Sequence, residues 1–154
     1  FARFRVLVGA AHPFRAGGHI PEQSAELLTR LDFIDMNGKD IAEDRTRTEL
    51  LTRGFGKALG VPVVAGSDTH QATQYGCIRT RFERDADTFD ALYAEMKAGR
   101  YEIVVHPEAA FKVRTAGILK RALKEVHALG GDYVQVLLGR GETPAVLTAK
   151  RRAG

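Results

Sequence analysis

The chain has 154 residues, 44% hydrophobic and 27% charged, proportions that suit one soluble domain with a core of its own. No apolar run reaches the length of a membrane-spanning helix and no secretory signal pattern opens the chain, so the cytoplasm is the expected location. The single cysteine, Cys77, excludes an internal disulfide and a cysteine-based zinc cluster, and a net charge of +4 suits an anionic substrate but is too small and dispersed to indicate nucleic acid.

In chain order, residues 4–8 read as a short strand that stops at Gly9-Ala10-Ala11-His12-Pro13. Phe1 is no translation start, so the chain is expected to be a piece of something longer. Pro13 and the pair Gly17-Gly18 mark a loop. Pro21 suits the first turn of a helix, with Ala25, Leu28 and Leu31 at helical spacing behind it. Residues 33–37 form a second strand ended by Gly38. Residues 46–59 follow as a helix with Leu51, Phe55, Ala58 and Leu59 on one stripe and Gly60 as its stop. Residues 61–65 make a third strand, in which Pro62 is tolerable near the start.

Strand, helix, strand, helix, strand implies parallel strands with helices packed outside. The second half repeats the rhythm more loosely. Residues 76–82 read as a strand, Asp87 caps a helix with Phe89, Leu92 and Met96 inward, and residues 101–105 are a further strand. Residues 115–129 form a helix with Ile118, Leu119, Ala122, Val126 and Leu129 on its apolar side. Residues 132–138 read as a last strand, and the basic cluster Lys150-Arg151-Arg152 reads as a solvated tail.

Ligands of parallel α/β sheets gather at the carboxyl ends of the strands. His12 follows the first strand, Asn37 ends the second, and Ser67-Asp68-Thr69-His70 follows the third. Asp68 and His70, two apart on an extended segment, can project the same way. With His12 they make a two-histidine, one-carboxylate set that suits zinc, manganese or iron and leaves positions open for water and substrate. The plainer alternative is a capping carboxylate, a surface histidine and a loop histidine. His106 reads as a structural histidine, Cys77 as a small buried hydrophobe, and His127 as an exposed or half-buried helix residue.

Gly66-Ser67-Asp68-Thr69-His70, behind its apolar run, resembles the last motif of the PHP family, the polymerase and histidinol phosphatase superfamily. Ala10-Ala11-His12-Pro13-Phe14-Arg15 resembles the preceding histidine-proline motif, and Phe33-Ile34-Asp35-Met36-Asn37-Gly38 is similar to the asparagine-ended strand between them. The resemblance implies a distorted seven-stranded β/α barrel that binds divalent metal ions and hydrolyses phosphate esters. Residues 1–75 would carry its motifs and residues 76–154 its C-terminal extension. His12, Asp68 and His70 match metal ligands, while Arg15 and Asn37 match positions near the site. Arg15 can equally pair with a helix carboxylate, and Asn37 can equally be a turn residue. His19, in the adjacent loop, is either a substrate contact or a plain loop residue.

The family's opening histidine motif and its further ligands should lie upstream of His12, where only eleven residues stand. The expectation is therefore the C-terminal part of a phosphoesterase acting on a small phosphorylated substrate. Alone it should bind metal weakly and turn over poorly, and it should pair with its missing half or with a second copy. The alternative is a non-catalytic metal- or ligand-binding module derived from the same domain.

Overall fold

In the computed structural model, residues 6–15 and 25–131 are described; His19 and the expected strand at 132–138 lie outside them. Three strands, β1 (Gly9–Ala10), β2 (Phe33–Asn37) and β3 (Val63–Gly66), form one parallel sheet in the order β1-β2-β3. The expected first strand is shifted: residues 6–8 are described but unpaired as a strand, and pairing begins at Gly9 opposite Phe33. Asp32 explains the shift. Its carboxylate accepts from the Val8 amide at 2.9 Å and its own N–H donates to the Val8 carbonyl at 2.7 Å, so a side chain replaces one ladder bond. Next in the sheet, Gly9 passes directly against the Phe33 ring, where a Cβ would collide.

Ile34 and Met36 of β2 are fully buried and anchor a core completed by Ile41, Val63, Cys77, Ile78 and Ala109. The two-residue period sends Asp35 and Asn37 to the opposite face from Ile34 and Met36.

Strand β2 ends before Gly38, as expected, and a short helix the sequence reading did not anticipate, α2 (Gly38–Glu43), starts there, capped by Asn37. It follows α1 (Ala25–Leu28) and leads into α3 (Arg45–Leu59). The Asp44 side chain caps α3 by accepting from the Arg47 amide, and Gly60 closes it in the left-handed conformation at φ 67°, the stop expected of that glycine. The buried face of α3 is Thr48, Thr52 and Gly56, four residues apart, and Ala58 is exposed. Small residues win this face because the helix rests closely on β3. A methyl on Gly56 would lie 2.6 Å from Val63 Cγ2.

The second half departs from the parallel expectation. Strands β4 (Ile78–Phe82) and β5 (Tyr101–Val105) pair antiparallel in a separate two-stranded sheet. Between them α4 (Phe89–Lys97) is capped by Thr88 rather than Asp87, and Met96 faces inward while Phe89 is exposed. The last helix among the described residues, α5 (Ala109–Ala128), begins six residues before the expected 115. Its buried side is Ala109, Ala116 and Leu123, whereas Ile118, Ala122 and Leu129 face out. That face crosses α2 and the 3₁₀ turn Ala72–Gln74, a close approach that alanine permits.

The two sheets meet along β3. The Ala65 N–H donates to Thr80 Oγ1 at 2.7 Å, the same hydroxyl donates to the Ala65 carbonyl at 3.2 Å, and Tyr101 Oη donates to the Val63 carbonyl at 2.7 Å. Side-chain hydroxyls thus satisfy backbone groups that another strand would otherwise pair. The architecture is a mixed α/β one, and among the described residues no seven-stranded or closed barrel is formed. Also among the described residues, no helix is long and apolar enough to cross a membrane.

Candidate functional site

The carboxyl ends of β1, β2 and β3 open on one side, and the chain turns sharply at two of them. His12 has φ 35° and Asp68 has φ 50°, the only positive values outside glycine among the described residues. Left-handed backbone is strained for most side chains but is best tolerated by Asn, Asp and His. Such conformations cost on the order of 1–3 kcal/mol and cluster at functional sites.

Arg15 sits at the centre. Its Nε donates to Asp40 Oδ1 at 3.0 Å, and its Nη2 donates to Asn37 Oδ1 at 2.6 Å and to Asp68 Oδ2 at 2.8 Å. One guanidinium therefore joins the turn after β1, the start of α2 and the turn after β3. Asn37 is both a strand-end cap, accepting from the Lys39 amide at 2.9 Å, and a member of this network, donating to Asp35 Oδ2 at 3.2 Å. Gln74 braces the β3 turn by accepting from the His70 amide at 3.1 Å and donating to the Asp68 carbonyl at 3.0 Å. Ser67 belongs to the scaffold: its hydroxyl donates to the Ile78 carbonyl and accepts from the Gly76 amide.

Charge follows from these contacts. Burial pushes the Asp68 carboxyl up, but the Arg15 hydrogen bond and the charges of Arg15 and His70 outweigh it and hold it below the usual range. At Asp35 burial prevails over hydrogen bonds from Asn37 and the His12 amide, and the carboxyl is raised. Burial alone would lower the Arg15 value, yet its bonds to Asp40 and Asp68 raise it, so the guanidinium is fixed as a cation.

Two of the three expected metal ligands come together. Asp68 Oδ1 and His70 Nε2 are 3.4 Å apart, a separation two donors adopt around a cation held at roughly 2.1 Å from each. His12 lies at the end of β1, with β2 between it and β3, and its amide donates to Asp35 Oδ2 at 3.4 Å. Among the described residues no group of three or more His, Cys, Asp or Glu side chains is gathered to hold a metal ion. The pair fits one edge of a divalent-cation shell, and a complete shell needs further donors.

Asp68 and His70 open into a cavity of about 220 Å³ bounded by Gln74, Lys39 and Lys120, with Ala116 and Gly117 of α5 as its floor. Sequence reading missed Asp35, Asp40, Gln74 and both lysines. A carboxylate inside the apolar run of β2 was a visible signal for Asp35; nothing local marks the others. His106 is structural, its Nδ1 accepting from the Glu108 amide at 3.0 Å, and Cys77 is fully buried.

A mixed α/β fold with a polar, strand-end site defines the class. Residues 51–101 match the family model described as PHP-associated, in keeping with the motif resemblance. The fold is similar to the crystal structure of PsfC from Pseudomonas syringae PB-5123, with a TM-score of 0.56 and 20% identity over 76% of this chain. The match spans 46% of the PsfC chain. Among curated proteins none matches.

Proposed function

We propose that this chain is the C-terminal part of a metal-dependent phosphoesterase domain. The observation that carries the reading is the facing pair Asp68 Oδ1 and His70 Nε2, 3.4 Å apart at the end of β3 and open to a cavity bounded by cationic side chains. The PHP-associated match supports it.

His12, Asp68 and His70 would hold a zinc, manganese or iron ion. When bound, that ion supplies Lewis acidity and a water of lowered pKa. The chain's own residues prepare the place. Arg15 fixes the Asp68 carboxylate in its ionised form, Gln74 holds the turn that presents His70, and Asn37 ties Arg15 to the start of α2. Arg15, Asn37 and His19 remain the proposed substrate-side residues, with Arg15 and Asn37 acting through the positions they impose. The remaining donors come from another part of the domain, consistent with a match spanning 46% of PsfC. The same part, or a second copy, would cover Val6 and Val8, which are 48% and 37% exposed.

The test is hydrolysis of a simple phosphate ester by the intact protein, stripped of metal and reloaded with manganese or zinc. Turnover should return with metal, and Asp68→Asn should lower it by more than the roughly 10- to 100-fold typical of losing an outer partner. Metal binding without turnover would favour the non-catalytic module. Turnover indifferent to Asp68→Asn would remove the reading.

A further inference from the structure

The positive charge of this chain is not dispersed. Helix α5 carries five Lys or Arg against one Glu, an excess equal to the net +4 of the whole chain. Lys120 of this helix and Lys39 of α2 both border the cavity that holds Asp68 and His70. The cavity's third cation, Arg15, is already committed to Asp40, Asn37 and Asp68. Recognition of an incoming anion therefore falls to the two lysines. Lys39 has only a loose contact with Glu43 at 3.7 Å and is about half exposed, so it can turn toward a ligand. Among the described residues Lys120 has no carboxylate partner.

The floor between these lysines is open. Nothing lies within 4 Å of where a Cβ on Gly117 would stand. Past Lys39 and Gly117 a larger cavity of about 600 Å³ continues between α2 and α5, bordered by Arg114 and Arg121. A ligand reaching from Asp68 and His70 along this path meets Lys39, Arg114 and Arg121 against one carboxylate, Glu43, with apolar Val113 and Ile118 beside it.

We propose that Lys39 and Lys120 form a subsite for a second anionic group of the substrate, so that the preferred substrate is a small phosphate ester bearing a further phosphate or carboxylate. This rests on the phosphoesterase reading only in placing the reacting phosphate at Asp68 and His70. An ammonium that bonds an anionic oxygen contributes enough to be read as about a tenfold change in affinity.

Two measurements on the intact protein test it. The first compares KM and kcat for three matched esters: a plain monophosphate, its bisphosphate and its carboxylate-bearing analogue. Lys120→Gln and Lys39→Gln should each raise KM about tenfold for the doubly anionic esters, with kcat and the plain ester little changed, and Lys120→Arg should retain most of the binding. Whichever second group shows the larger change identifies the anion recognised. Equal changes for all three esters, or none, would overturn the subsite. The second measurement is calorimetric binding of inorganic pyrophosphate without added metal. Lys120→Gln and Lys39→Gln should weaken it about tenfold each. If no ester is turned over, the phosphoesterase reading fails, and the pyrophosphate result alone decides the subsite: lysine-dependent binding supports it, and binding indifferent to both substitutions removes it.

Discussion

At His12 and Asp68 the chain accepts left-handed backbone where a glycine would be unstrained. The residue types are kept at a conformational cost, and the proposed ligand role gives that cost a purpose. His12→Gly should therefore leave thermal stability unchanged or raise it by up to about 1 kcal/mol, while manganese affinity of the intact protein falls. Melting curves and calorimetry on the same samples check both halves; a clear loss of stability would mean that the imidazole holds the turn. Glu95 gives a second test at this scale. Arg100 grips its carboxylate with Nε and Nη2, each at 2.7 Å. That hydrogen bond, over an opposing burial effect, holds the Glu95 pKa below its ordinary value. A depressed folded pKa stabilises the protein above the unfolded value and is lost as pH falls through the folded one. Glu95→Gln should lower the melting temperature at pH near 7, and the difference should shrink below roughly pH 4. That His12, Asp68 and His70 stand just past strand ends was legible in the sequence, because an apolar run stops shortly before each. Asp40, Gln74, Lys39 and Lys120 were not, because each reaches the site through the crossing of α2, α5 and the 3₁₀ turn.

Elements divide in the same way. Strands β2, β3 and β5 and helix α3 with its Gly60 stop could be read from apolar runs and punctuation alone. The antiparallel pairing of β4 with β5 could not, since a strand's periodicity is blind to the direction of its neighbour. The buried side of α5 was misread for a different reason: the helix is chosen for close approach, so Ala109 and Ala116 face in while the bulkier Ile118 faces out. The junction between the sheets is the most vulnerable of these features. Thr80→Val keeps shape but removes the hydroxyl that serves both the N–H and the carbonyl of Ala65. Leaving those groups unpaired should cost about 1–3 kcal/mol, read from urea denaturation, with faster hydrogen exchange at Ala65. A neutral outcome would mean that water replaces the hydroxyl.

Across the whole molecule, two separate stretches of chain bring three carboxylates toward one end of the sheet: Asp35 and Asp40 from the continuous β2–α2 segment, and Asp68 from the turn after β3. Small metal domains commonly rely on their ion to hold such a gathering together and unfold without it. Here the neutralising charge is covalently attached, for Arg15 bridges Asp40 and Asp68. Treatment with a strong chelator should accordingly shift the melting temperature by less than about 2 °C, under about 1 kcal/mol for a chain of this size. A larger drop would show that the ion is part of the scaffold. Arg15 acts as a built-in counter-ion, and a protein so equipped can be synthesised, folded and stored empty. On the proposed metal-site reading, it would then take up a divalent ion, or exchange one for another, without ever passing through an unfolded state.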